Sequence, residues 1–397
     1  MKVLILNSGS SSLKFQIIEM PSEKVLCQGL VERIGEKNSV FHYKTANQKI
    51  TEETQIPNHK KGLELVAEKM MDKKVGVIQS ADEIEAVGHR VVHGGNLFSE
   101  TTLITEKVKS AIKDLFSLAP LHNPANYEGI VVAEEIFPNS KQIAVFDTAF
   151  HQSIPEHAYR YAIPTEISDK NKIRLYGFHG TSHKFVSEKA IEFLGLQQSK
   201  IISIHLGNGC SITAIKDGKS IDHSLGFTPA NGLIMGTRSG DIDHSVIFHL
   251  EKLGYSTDEI NNLLTKKSGM LGLTGHSDLR DIITEAENGN RACQLALDMN
   301  VYRIKKYIGA YTAVLNGLDA IIFTAGIGEN SDYIREKVCE GLDYLGIKIN
   351  AKENHEHFSG LMSIHNSQSK VKVLVIPTNE ELEIAKQSFE LLTDCLV

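Results

Sequence analysis

The feature that most constrains this chain is a hairpin written twice. Near the start, the apolar run Val3-Leu4-Ile5-Leu6 passes into a turn of small residues, Ser8 to Ser12. Leu13, Phe15 and Ile17 then alternate with Lys14 and Gln16. A short apolar run reads as a buried strand, and period-two alternation reads as a half-buried one. The unit is therefore strand, tight loop, strand. Much later, Ile201 to Leu206, the turn Gly207-Asn208-Gly209, and Cys210 to Ile215 repeat the plan, followed by an Asp217-Gly218 hairpin turn. A loop of small residues exposes backbone N–H groups that can wrap phosphate oxygens, and Lys14 adds a point charge just beyond the first loop. One such loop alone is as readily an ordinary polar hairpin. Two copies predict two related domains serving one nucleotide. The first loop is not a Walker A motif, because G-x-x-x-x-G-K-[ST] is absent and a strand follows where that motif needs a helix. A third Gly-rich stretch, Ile321 to Ser331, reads as strand, loop and helix start, suited to the nucleoside end.

At 397 residues, two domains are expected, the first ending near Phe150. A formal net charge of −7 argues against nucleic acid or an anionic membrane as the main partner. An anionic substrate then needs local Arg or Lys. No run of 18 apolar residues occurs and no signal peptide is read at the start, so no membrane span is expected. Cys27, Cys210, Cys293, Cys339 and Cys395 are scattered without metal spacing, which reads as reduced thiols in a cytoplasm.

Along the chain, Lys60 to Met71 is helical in pattern, with Leu63, Val66, Ala67 and Met70 on one face. Helices are also expected over Thr105–Leu115, Asn126–Phe137, 291–317 and Glu380–Leu392. Arg90 sits at a strand end before Gly94-Gly95, and Arg238 sits in the long Gly-rich stretch Gly226–Asp243. An Arg in such a setting can clamp phosphoryl oxygens with its planar fork; each is as readily a surface ion pair. Asp147 lies in Gln142–Phe150, which reads as a buried strand ending on an acid, where open α/β sheets place their chemistry. It reads as a metal-side acid, a base, or an orienter of a neighbouring Arg. His179, in Gly177-Phe178-His179-Gly180, can donate to charge building on a phosphoryl group; His122 has similar standing among prolines. Asn7 and the pair Glu380-Glu381 are oxygen donors of the kind Mg²⁺ prefers. His276, His355 and His357 form no constellation and carry no role.

Eight segments together resemble the acetate kinase family: Asn7–Lys14, Gly88–Gly95, Phe146–His151, Gly177–His183, His205–Ser211, Gly236–Asp241, Gly326–Asn330 and Pro377–Glu381. They fall in the family's order and span the whole chain; propionate kinases share most of them. The resemblance implies an α/β fold of the duplicated actin, sugar-kinase and Hsp70 type (ribonuclease H-like), two domains with an interdomain cleft. It places residues 1–150 plus 382–397 in an N-terminal domain and 151–381 in a nucleotide-binding domain. The C-terminal helix would cross back onto the first domain. The implied activity is reversible, direct phosphoryl transfer from ATP to acetate. The implied cofactor is Mg²⁺, with Mn²⁺ as a substitute, held through Asn7 and Glu380. Asp147, His179 and Arg238 would be catalytic, and Arg90 would hold the substrate carboxylate, with His122 nearby. Val92, Leu121, Phe178 and Pro229 would form the pocket for the acyl methyl. ATP would lie along Lys14, His205-Leu206-Gly207-Asn208-Gly209, Asp278-Leu279-Arg280 and Gly326-Ile327-Gly328-Glu329-Asn330. A cytoplasmic homodimer is implied.

Overall fold

The computed structural model describes residues 1–356 and 360–394, and the chain divides into two compact units, Met1–Phe150 with Asn379–Val397, and His151–Thr378. His357 and Cys395 lie outside the described residues.

The first unit carries β1 (Lys2–Ser8), β2 (Ser12–Glu19), β3 (Lys24–Glu32), β4 (Val40–Thr45), β5 (Lys49–Glu53), β6 (Ala86–Val91), β7 (Thr102–Leu103) and β8 (Lys141–Phe146). They form one sheet in the order β5-β4-β3-β2-β1-β6-β8-β7. β1 is antiparallel to β2 and parallel to β6, and β6 is parallel to β8. The continuous apolar run of β1 follows from burial on both faces. Leu4 and Leu6 point to one core, where the helices His59–Met70 and Asn123–Ile136 supply Leu63, Val66 and Ala133. Val3 and Ile5 point to the other, covered by Ile384 and Ala385 of the helix Glu380–Asp394. That helix comes so close that a Cβ on Gly88 would sit 2.7 Å from Ile384. Each large aliphatic side chain buried this way contributes roughly 1.5–3 kcal/mol.

The second unit carries β9 (Lys200–Leu206), β10 (Cys210–Lys216), β11 (Lys219–His223), β12 (Ala320–Thr324), β13 (Met362–Ser363) and β14 (Lys372–Val375), in the order β11-β10-β9-β12-β14-β13. Here β9 is antiparallel to β10 and parallel to β12, which is parallel to β14. The order β3-β2-β1-β6-β8 in the first sheet is thus repeated as β11-β10-β9-β12-β14 in the second. The doubled hairpin is the visible trace of this duplicated α/β fold. Among the described residues no helix is long and apolar enough to cross a membrane.

Two local expectations need correction. The helix expected from Asn126 begins at Asn123, because Pro124 falls in its first turn, where a missing N–H costs nothing. The loop expected after β12 is already helical: Ala325–Asn330 follows the strand directly, with Ala325 at φ 63° making the turn. The region 244–290, given no secondary structure from the sequence, folds as the helices Ser245–Lys252, Thr257–Lys266, Gly269–Thr274 and Leu279–Glu287.

Candidate active site

In the first unit the functional candidates gather at the carboxyl ends of β1, β6 and β8. Parallel pairing sets Leu6 opposite His89 and Arg90 opposite Val145, so Asn7, Arg90 and Asp147 emerge on neighbouring strands. Arg90 grips Asp147 with two nitrogens: Nε lies 2.9 Å from Oδ1 and Nη2 lies 2.7 Å from Oδ2. Its Nη1 lies 3.6 Å from Glu380 Oε2. Burial works to lower the Arg90 pKa, but Asp147 and Glu380 outweigh it and raise it, so the guanidinium stays charged. Lys14, in register with Asn7, is exposed and pairs with Glu381 at 2.5 Å.

The backbone around this cluster is held by amides. Asn126 Nδ2 donates to Ser8 O in the first hairpin, while its Oδ1 accepts from Val92 N. Asn123 holds both the N–H and C=O of His93. His59 Nε2 reaches Gly9 O at 2.6 Å. His122 caps the helix that carries both asparagines, and Leu121 just before it is 62% exposed. Among the described residues no group of three His, Cys, Asp or Glu is arranged to hold a metal by itself. Mg²⁺ keeps several waters and takes substrate phosphates as ligands, so one carboxylate and one amide oxygen suffice. The hard oxygen donors of Asn7 and Glu380 fit that demand.

In the second unit the turn Gly207-Asn208-Gly209 joins β9 to β10, closed by Gly207 N donating to Gly209 O at 3.1 Å. Gly209 is flanked by His179 and Arg238: a Cβ there would lie 3.5 Å from His179 Nε2 and 3.8 Å from Arg238 Nη1. The His179 ring stacks on His205 at 4.3 Å, and its Nδ1 lies 2.9 Å from Ser211 Oγ. Arg238 Nη1 donates to Pro229 O at 2.8 Å, which seats Pro229 beside it. Among the described residues Arg238 forms no salt bridge. Burial pulls its pKa down, with Cys210 as the opposing influence. A half-buried guanidinium without a carboxylate is a ready anion site. Phe178, expected in an apolar pocket, is 2% exposed.

A cavity of about 890 Å³ opens beside this turn. Its lining includes Leu206, Gly207, Asn208, Asp278, Leu279, Arg280, Gly326, Ile327 and Asn330 from the sequence expectation. His205, Gly209, Gly328 and Glu329 are not among the lining residues. Glu329 instead accepts from Thr378 N at 3.0 Å, and burial raises its pKa. Sequence reasoning missed the apolar wall of Ile234, Met235, Met270 and Ile283. Ile283 stands four residues after Leu279 on one amphipathic helix, a spacing that could have flagged it. At the cavity's polar end Gly236 must lack a side chain, because a Cβ would meet Asn208 Oδ1 at 2.2 Å.

Comparison with known proteins gives one consistent result. The family model described as "Acetokinase family" matches residues 2–386. An acetate kinase of Flavobacterium johnsoniae is 59% identical over 393 residues, covering 99% of this chain and 100% of that one. The crystal structure of Porphyromonas gingivalis acetate kinase has a TM-score of 0.94 at 47% identity, covering 98% and 99% of the two chains. A propionate kinase from Francisella tularensis follows with a TM-score of 0.92 at 44% identity, with the same coverage.

Proposed function

The chain belongs to the acetokinase family, and from that premise we infer that it transfers the γ-phosphoryl group of ATP to acetate, giving acetyl phosphate and ADP. The observation that carries the reading is the Arg238–His179 pair at Gly209, in the turn whose Gly207 and Asn208 line a cavity sized for a nucleotide.

The chemistry asks for positioning more than for a base. Acetate has a pKa close to that of a Glu side chain and is ionised at neutral pH. One carboxylate oxygen attacks the γ-phosphorus, the bond to the β,γ-bridging oxygen breaks, and ADP leaves with that electron pair. The barrier lies in bringing an anion to a polyphosphate, and fixed cations in a dry site offset that repulsion. In this reading Arg90, held rigid by Asp147, receives the carboxylate. Arg238 and the Nε2–H of His179 serve the transferring phosphoryl oxygens. Val92, Leu121, Phe178 and Pro229 accept the methyl group, with His122 alongside. Lys14 and the segments at His205–Gly209, Asp278–Arg280 and Gly326–Asn330 hold ATP. Mg²⁺, when bound through Asn7 and Glu380, supplies charge neutralisation at the phosphates. A cytoplasmic homodimer belongs to the same reading; the free, buried thiols of Cys27, Cys210, Cys293 and Cys339 support a reducing compartment.

The experiment is acyl-phosphate trapping with hydroxylamine in the presence of MgATP. Hydroxamate that forms only when acetate is present supports the reading. ATP consumption indifferent to acetate contradicts it. Propionate is the second reading, favoured by the similarity to a solved propionate kinase, and the ratio of kcat/KM for the two acids decides it.

A further inference from the structure

His179 is an unusual residue to find where it stands. Its backbone is left-handed, at φ 56° and ψ 26°, and it follows Gly177 at φ 76°. A side-chain-bearing residue persists there only where its surroundings over-determine it. The surroundings are two buried histidines that hold the intervening Phe178 by its backbone. Phe178 N–H donates to His223 Nε2 at 3.1 Å, and Phe178 C=O accepts from His151 Nε2 at 2.9 Å.

These partners fix the protons. A backbone N–H only donates, so His223 Nε2 is bare and its proton sits on Nδ1, which donates to Thr213 Oγ1 at 2.7 Å. A carbonyl only accepts, so His151 carries its proton on Nε2, and its Nδ1 accepts from Ser220 Oγ at 2.9 Å. The two rings lie 4.0 Å apart in opposite tautomers. Burial keeps both neutral, pushing His151 down to about 4 and His223 well below its ordinary value. Neither ring could swap its proton without setting a donor against the Phe178 N–H or a lone pair against its carbonyl.

We propose that His151 and His223 are positioning residues for phosphoryl transfer, clamping the Phe178 peptide from both sides so that His179 keeps its Nε2 beside Gly209 and Arg238. The proposal rests on the reading of His179 as a donor to the transferring group. Ser211 completes the arrangement. Its Oγ lies 2.9 Å from His179 Nδ1 and 2.8 Å from His183 Nε2. A hydroxyl has one proton, so when Ser211 gives it to His179 Nδ1, it accepts from His183. His179 then bears its own proton on Nε2, the nitrogen that faces Gly209. The clamp sets where this imidazole points, and the serine sets which nitrogen donates.

The test is a kinetic cycle on the full-length enzyme. His223→Leu removes the acceptor for Phe178 N–H. It should lower kcat about 10- to 100-fold, the effect of a small misplacement, with KM for ATP unchanged within about twofold. His223→Gln places an amide oxygen where Nε2 was and should recover most of the loss. In a His179→Ala background, His223→Leu should lower kcat no further, because the clamp reaches the transferring group through His179. Thr213→Val removes the acceptor of the His223 Nδ1–H, which loosens the ring while Phe178 N–H still demands a bare Nε2, and should lower kcat several-fold. Losses that multiply in the double variant, a Gln variant no better than Leu, or an unaffected Thr213→Val would each overturn the clamp. His179→Ala turning over at the parental rate would instead overturn the role given to His179.

Discussion

Arg90 and Asp147 lie 57 positions apart in the sequence, yet they meet through two parallel N–H···O contacts of 2.9 and 2.7 Å at the ends of adjacent parallel strands. The contact leaves Nη1 as the nitrogen turned away from Asp147, 3.6 Å from Glu380. A guanidinium held this way cannot swing to follow a substrate, so it defines where a carboxylate must sit.

Asp147→Asn should therefore act on acetate and on stability together. The substitution breaks a buried pair from one side, which costs about 3 kcal/mol in urea unfolding. The KM for acetate should rise at least tenfold while the KM for ATP stays level. An unchanged acetate KM would show that Arg90 does not need its partner.

Gly236→Ala should act on the nucleotide alone. The new Cβ would collide with Asn208 Oδ1, so the turn must shift. Losing one hydrogen bond to a charged phosphate raises the KM for ATP roughly 10- to 100-fold, with the acetate KM unchanged. Isothermal titration with ADP checks this without turnover.

Much of this arrangement could be read from the chain, and the reasons for what could not are specific. The hairpins were legible because apolar runs flank small residues, a local signal. The helix face of Leu63, Val66, Ala67 and Met70 was legible from its period, and all four are buried. The Arg90–Asp147 grip was not, because strand pairing, not spacing, brings the two together. The clamp on Phe178 was not, because His151 and His223 are isolated histidines whose partners are backbone atoms. The cavity wall at Met235 and Ile283 was missed for another cause: apolar residues on a loop and on a short helix look like core.

Acid should weaken the fold through its buried imidazoles, with Asp222, raised to about 6 by burial, working in the opposite direction. Burial lowers His89, His93 and His151 to about 4 from 6.5. Between those values the unfolded chain binds protons that the folded chain refuses. Stability is thus complete above about pH 6.5 and is lost as pH falls toward 4, by up to about 1.4 kcal/mol per pH unit for each group. Urea titrations at pH 7, 6 and 5 should show a falling midpoint with a constant m-value. A flat profile would mean that these imidazoles are not neutral in the folded state.

Acyl length should be discriminated weakly. One methylene in an apolar pocket is worth about 1–3 kcal/mol, so kcat/KM for propionate should fall about 10- to 200-fold below that for acetate. Equal values would favour the propionate reading.

The central claim is that fixed cations, above all Arg238, hold the charge of the group in flight. The most direct measurement is the affinity for ADP, acetate and a planar aluminium fluoride together, compared between the parent and Arg238→Ala. The account predicts tight ternary binding in the parent that weakens about 10³-fold or more in the variant, the scale of a finger arginine, with ADP alone binding equally to both. An Arg238→Ala variant that binds the planar mimic as tightly as the parent would contradict it.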